Sequence, residues 1–145
     1  MRRRGTVNDQ ERAVFDALLE THLDALPPHA AEGLCEVPLI VDDEPDAATL
    51  RELGMDPDDP DDDLFGLHTG VPLTERSVEI SGEVPEDIRL FRGPIMRLVG
   101  WSWPIGERER GDRAELDEEI RVTLLHELGH HFGLDEDDLD ALGYG

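Results

Sequence analysis

The strongest constraint on this chain is the pattern H-E-x-x-H at residues 126–130, which stands in a stretch typical of a helix. Positions four apart on an α-helix point about 40° apart around its axis, so His126 and His130 can offer nitrogens to one metal ion. Glu127 lies beside that face, where a carboxylate can take a proton from water activated by the metal. The pattern predicts a metal site with hydrolytic chemistry.

The residues around the motif predict a long, largely buried helix over residues 114–132. This segment contains no proline, and its only glycine is Gly129, inside the motif. Apolar residues occupy most of the circumference outside the face of Thr123, His126 and His130. Because an unpaired polar group is costly to bury, two histidines on such a helix need partners. A metal ion is the partner that the pattern indicates, and a chance occurrence of a short motif is the alternative.

The residues after the motif supply candidates for a third metal ligand. Gly133 follows His130 by three residues and allows the chain to turn. In the extended pattern H-E-x-x-H-x-x-G-x-x-ligand, the third ligand falls on Glu136. Asp135 is the alternative ligand, although it also has the position of an N-cap for a further helix. An ordinary acidic residue in the first turn of that helix is the other interpretation of Glu136.

Six segments of the chain, the motif among them, resemble a small bacterial family of minimal zincin-like metallopeptidases. They are V-F-D-A-L-L at 14–19, V-P-L-I-V-D-D-E-P at 37–45, L-H-T-G-V-P-L at 67–73, P-E-D-I-R-L-F-R at 85–92, H-E-L-G-H-H-F-G at 126–133 and L-D-A-L-G-Y at 139–144. The resemblance covers most of the chain. It departs from the family at His68, where tyrosine is more common, and Glu136 agrees with the family's acidic residue at that position.

This resemblance implies an α+β fold and a zinc-dependent peptidase that acts on a peptide or protein substrate. One zinc ion would be held by His126, His130 and Glu136, with a fourth position open for water. Glu127 would accept the proton of that water as general base and pass it to the leaving amine. The strand around Arg89 to Phe91 is expected to be the edge with which an extended peptide pairs.

Composition bounds the classes of protein to which the chain can belong. A chain of 145 residues suits a single domain over residues 1–145, with residues 1–7 as a disordered tail and 56–63 as a solvated acidic loop. Its 36 acidic and 13 basic residues give a formal net charge of −23, which disfavours nucleic acids and anionic membranes. No apolar run resembles a signal peptide or a membrane span, so a cytoplasmic location is expected. No feature of the sequence indicates an oligomeric state.

Local patterns predict the remaining elements. Asn8 and Glu11 form a capping box for a helix that runs to about Leu26 and is stopped by the two prolines that follow. A short helix is expected over residues 46–53, and strands over residues 39–41, 64–68 and 88–91. The stretch between Arg92 and Arg113 is predicted to be irregular.

Several single residues have both a functional and a structural interpretation. Trp101 and Trp103 could border a substrate cleft, but we expect them to cover the core. Cys35 is predicted to be a small buried residue. His131 could support a carboxylate near the metal or cap the end of the helix. Tyr144 could stabilise an oxyanion, and simple packing is the alternative. His22 and His29 are expected to be surface residues.

Three other classes of protein remain as alternatives. A catalytically inert or partner-dependent metal-binding protein would carry the same ligands. A metal-dependent endoribonuclease of the rRNA-maturation kind has a similar H-x-x-x-H-x-x-G pattern, but it lacks a glutamate at the position of Glu127 and would suit a basic surface. A purely structural zinc site commonly uses four protein ligands that include cysteine, and Cys35 is the only cysteine here.

Overall fold

The structure, a computed structural model, describes residues 7–59, 63–69, 86–133 and 137. It has the mixed α+β composition that the sequence predicts. In the described residues the elements, in chain order, are α1 (Asp9–Asp24), α2 (Pro28–Glu36), β1 (Leu39–Asp42), α3 (Ala47–Glu52), β2 (Gly66–Thr69), β3 (Asp87–Phe91), α4 (Arg92–Val99) and α5 (Arg113–His131).

The sheet has three strands in the order β1-β3-β2. The central strand β3 runs parallel to β1, where Leu39 pairs with Ile88, and antiparallel to β2, where His68 pairs with Ile88. Both Ile88 and Leu90 of β3 are fully buried. The prediction that the segment around Arg89 is an edge strand is therefore wrong, because β3 is hydrogen-bonded on both sides. Among the described strands, the edges are β1 and β2.

Helix α5 is the centre of the molecule. It packs against α1, α2 and α4 and against strands β2 and β3. One row of its side chains, spaced four residues apart, is fully or almost fully buried: Leu116, Ile120, Leu124 and Leu128. This confirms the predicted buried helix, which begins one residue earlier and ends one residue earlier than expected. Within the described part of the chain, none of the helices combines the length and apolar character that crossing a bilayer requires.

The start of α1 is held as the sequence predicts, and it also anchors a distant loop. The Asn8 side chain accepts from the backbone N–H of Glu11, and the Glu11 carboxylate accepts from the backbone N–H of Asn8. The other oxygen of the Glu11 carboxylate accepts from the backbone N–H of Trp103 at 2.9 Å. Val7 is only 3% exposed, so it belongs to the core and not to the predicted tail. Residues 1–6 of that tail lie outside the described residues.

Two helices occur where the sequence did not predict them. Pro28 is the first residue of α2, and Pro94 is the third residue of α4. The first backbone N–H groups of a helix have no carbonyl partner within it, so proline is tolerated in that first turn. The prediction that the stretch after Arg92 is irregular is wrong for α4. The prediction for α3 is confirmed, with Asp46 as its N-cap.

The remaining structural predictions for single residues have mixed outcomes. Trp101 is fully buried in the core and Trp103 packs against it, so both cover the core as expected. Cys35 is exposed, contrary to prediction, because it lies on the outer side of α2. In the acidic loop Asp56 is exposed as predicted, but Asp63 is drawn inward by an ion pair with Arg97.

Candidate metal centre

The motif residues lie in the last two turns of α5. The helix begins at an N-cap, Asp112, whose side chain accepts from the backbone N–H of Ala114 at 2.8 Å. Its buried apolar row fixes the rotation of the helix about its own axis. As a result His126 and His130 are partly exposed along one side, whereas Glu127 is only 7% exposed.

The two motif histidines already have the spacing that a metal ion requires. The Nε2 atoms of His126 and His130 are 3.1 Å apart, and the rings meet edge to face. Two nitrogens that bind one tetrahedral zinc ion at roughly 2.0–2.1 Å lie about 3.3 Å from each other. The pair therefore fits zinc with a shift of a few tenths of an ångström.

Glu127 is enclosed between α5 and β2. Gly66, the first residue of β2, lies so close that a Cβ atom there would be 2.8 Å from Glu127 Cγ and 3.1 Å from its Oε2. The absence of a side chain at Gly66 leaves room for the carboxylate. Sequence reasoning did not identify this role, because the contact joins residues that are far apart in the chain.

A cleft of about 480 Å³ opens beside His126 and Glu127. Its remaining described lining comes from the segment that leads into β2, from α4 and from α5: Asp63, Leu64, Phe65, Gly66, Leu98, Glu119, Val122 and Thr123. The apolar walls could hold an apolar side chain or the aliphatic part of a long one. The described lining includes three carboxylates and no arginine.

The carboxylates of the cleft differ in their surroundings. Burial raises the pKa of Glu119, and a hydrogen bond from the Thr123 hydroxyl at 3.4 Å opposes that rise only in part. Asp63 instead accepts from Arg97, with Oδ1 3.0 Å from Nη2 and Oδ2 3.1 Å from Nε. Arg97 also contacts both oxygens of Glu44 at 2.7 and 2.8 Å. This ion-pair cluster fixes one wall of the cleft.

The predicted third ligand lies outside the described residues, as do Asp135 and Tyr144. The turn that would bring Glu136 back toward the helix is visible at Gly133, which has a φ of 85° in the left-handed region. Glu136 therefore stays a prediction. The described residues bring together His126, Glu127 and His130.

A second group of potential metal ligands was not foreseen. His68 of β2, Glu86 just before β3 and His131 at the end of α5 converge, with one ligand atom from each lying within 4.8 Å of the others. His131 is thus bonded to a carboxylate, that of Glu86, and the expectation that such a carboxylate supports a metal stays a prediction. Among the histidines expected to have surface roles, His29 is exposed and stacks on Phe132, whereas His22 bonds to Asp117.

Comparison with known proteins agrees with the motif and the fold. No curated protein matches this sequence closely enough to count as a relative. The family described as zincin-like metallopeptidase matches residues 34–145, which include β1 and all of the candidate metal centre. Because that match covers well over half of the 145 residues, the chain belongs to the zincin-like metallopeptidase family.

Proposed function

We propose that this protein is a zinc-dependent peptidase with one catalytic ion, held by His126, His130 and Glu136, and with Glu127 as general base. The observation that supports this most directly is the geometry of α5. Two imidazole nitrogens lie 3.1 Å apart beside a buried carboxylate, and all three residues border or adjoin a cleft. Family membership supports the general class of activity, and these residues support the mechanism proposed here.

The zinc ion, when bound, supplies Lewis-acid chemistry: it acidifies a water and polarises the scissile carbonyl. His126 and His130 would hold it through Nε2, with each ring neutral and its proton on Nδ1. Glu127 takes the proton of the attacking water on its carboxylate and then delivers it to the amine that leaves. Gly66 limits the movement of that carboxylate, because its backbone lies close against it.

The cleft and the strand beside it support a proposal for the substrate class. An extended peptide can pair with the outer edge of β2, which is an edge strand among the described residues and lies beside α5. Leu64, Phe65 and Leu98 offer apolar contacts to one side chain, and Glu119 offers a carboxylate to a cationic end. We therefore propose peptides with apolar or basic side chains as substrates, and the net charge of −23 should increase the rate at which basic peptides are encountered.

The test is cleavage of a peptide library by the zinc-loaded full chain, purified without a histidine tag and read by mass spectrometry. Glu127→Gln should keep the fold and bind zinc but reduce cleavage by roughly 10²–10⁴-fold, since an amide cannot accept the proton. Glu115→Gln is the matched control, because Glu115 is an exposed acid in the first turn of the same helix. A library that wild type leaves uncut at every pH would favour the inert or partner-dependent metal-binding protein.

A further inference from the structure

Three buried side chains from three separate elements meet at the end of α5 away from its N-cap. His68 Nε2 lies 2.8 Å from Glu86 Oε1, and His131 Nδ1 lies 2.5 Å from the same oxygen. The side chains of His68, Glu86 and His131 are 6%, 8% and 0% exposed. None of the three belongs to the set proposed above for catalysis.

The strand register explains why these residues meet. His68 pairs with Ile88 across the β2–β3 ladder, and alternation along the strand puts Glu86 on the same face as Ile88. That face packs on the end of α5, where Ile88 contacts the same apolar cluster as Leu128. His131 lies three residues after Leu128 and so points toward the same region of the sheet.

A hydrogen-bonded brace is the simpler interpretation of this cluster. Both imidazoles can donate an N–H to Glu86 Oε1, which would tie β2 and the start of β3 to α5. The same three groups, however, form a two-histidine, one-glutamate set, which binds zinc at the catalytic sites of some enzymes. Both nitrogens converge on a single carboxylate oxygen, and shifts on the order of 1 Å would place all three donors at zinc-ligand spacing.

We propose that His68, Glu86 and His131 form a second, structural site for a divalent cation of the zinc class. A divalent cation would supply positive charge to a carboxylate that is more than nine-tenths buried. His68 would bind through Nε2 and His131 through Nδ1, so the proton of each neutral ring would sit on its other nitrogen. A water or a further donor would complete a tetrahedral site.

This site is separate from the catalytic one. His131 follows His130 directly, and consecutive side chains on a helix point about 100° apart. Because His130 and His131 project from different faces of α5, one ion does not bind both of them. The near-complete burial of all three ligands suits an ion that links β2, β3 and α5 and does not suit one that meets a substrate.

The variant His68→Gln distinguishes a metal site from a brace. The glutamine amide nitrogen can take the place of imidazole Nε2 and still donate to Glu86, but it does not replace imidazole as a zinc ligand. His22→Gln is the matched control, because His22 also bonds to a carboxylate through Nε2, 2.8 Å from Asp117 Oδ1, and no third potential ligand joins them among the described residues.

The measurement is zinc per chain by elemental analysis of the full-length protein, purified without a tag and dialysed against a weak chelator. Wild type and His22→Gln should hold two equivalents, and His68→Gln and His126→Ala should each hold one. Zinc should also raise the melting temperature of His126→Ala but not of His68→Gln/His126→Ala. Circular dichroism checks that each variant is folded.

Two results would overturn the proposal. In the first, His68→Gln still holds two equivalents of zinc. In the second, wild type holds a single equivalent of zinc, and His126→Ala holds none. In either case the cluster is a hydrogen-bonded brace. Wild type could instead hold a single equivalent of zinc that is lost in His68→Gln and kept in His126→Ala. That result would support the buried site and contradict the proposed catalytic one, so the two proposals can fail independently.

Discussion

Gly66 lies so close to the side chain of Glu127 that no side chain at residue 66 would fit between them. A Cβ atom at residue 66 would stand 2.8 Å from Glu127 Cγ and 3.0 Å from Thr123 Cγ2. The first residue of β2 therefore sets the position of the proposed general base.

Gly66→Ala should displace Glu127 and lower kcat/KM for peptide cleavage by at least about tenfold, because small displacements of a catalytic group are costly. It should also lower the free energy of unfolding by about 1–3 kcal/mol through overpacking. Gly100→Ala is the control: its φ of 67° makes alanine strained, yet the space around it is open. That variant should lose stability and keep kcat/KM. Full activity in Gly66→Ala would show that Glu127 tolerates the shift.

The ligand set can be tested by calorimetric titration of the metal-free protein with zinc. These variants are made in the His68→Gln protein, which lacks the proposed buried site, so the titration measures zinc binding at the catalytic site alone. His126→Ala and Glu136→Ala should each weaken binding, because each removes a proposed ligand, whereas Glu127→Gln should leave affinity nearly unchanged. If Glu136→Ala binds as tightly as its parent, the third ligand is Asp135 or water.

Arg97 should contribute strongly to stability, because it forms ion pairs with two largely buried carboxylates, those of Glu44 and Asp63. Its side chain is 12% exposed, and those of Glu44 and Asp63 are 19% and 10% exposed. Arg97→Met would remove the guanidinium that pairs with both carboxylates and should lower the free energy of unfolding in urea by about 3 kcal/mol. Arg121→Met removes an exposed pair with Glu118 and should cost about 1 kcal/mol or less. Equal losses of unfolding free energy in Arg97→Met and Arg121→Met would contradict the stabilising role proposed for Arg97.

Asp43 should make the stability of the protein depend on pH. Burial raises the pKa of Asp43, but hydrogen bonds and charges from Arg12 and Arg92 outweigh that effect and hold the pKa below its usual value. A lowered pKa in the folded state gives stability that is present above the unfolded value, near 4, and is lost as pH falls through the folded value.

Asp43→Asn should therefore lower the free energy of unfolding by about 1–2 kcal/mol at pH 7. The difference from wild type should shrink steadily below about pH 4. Urea unfolding at a series of pH values measures this. Asp9→Asn, which changes a fully exposed partner of Arg12, is the control and should leave the urea midpoint unchanged. A difference that persists undiminished at pH 2 would rule out ionisation of Asp43 as the cause.

Much of the metal centre could be predicted because its pattern is local. The spacing of His126 and His130 is determined by helical geometry, and α5 could be recognised from its apolar rows and the absence of proline. The capping box of Asn8 and Glu11 was equally visible, since both partners lie within one turn. In contrast, α2 and α4 were missed because proline in a first turn does not break a helix.

What the sequence alone determined is therefore the set of features whose partners lie within about four residues: helix caps, the buried face of α5 and the paired imidazoles. Tertiary structure decided which strand is central, which glycine lies over Glu127, and that His68 and Glu86 meet His131. The physical reason is that strand order and register depend on the packing of the whole core. A helix repeats every 3.6 residues regardless of what surrounds it.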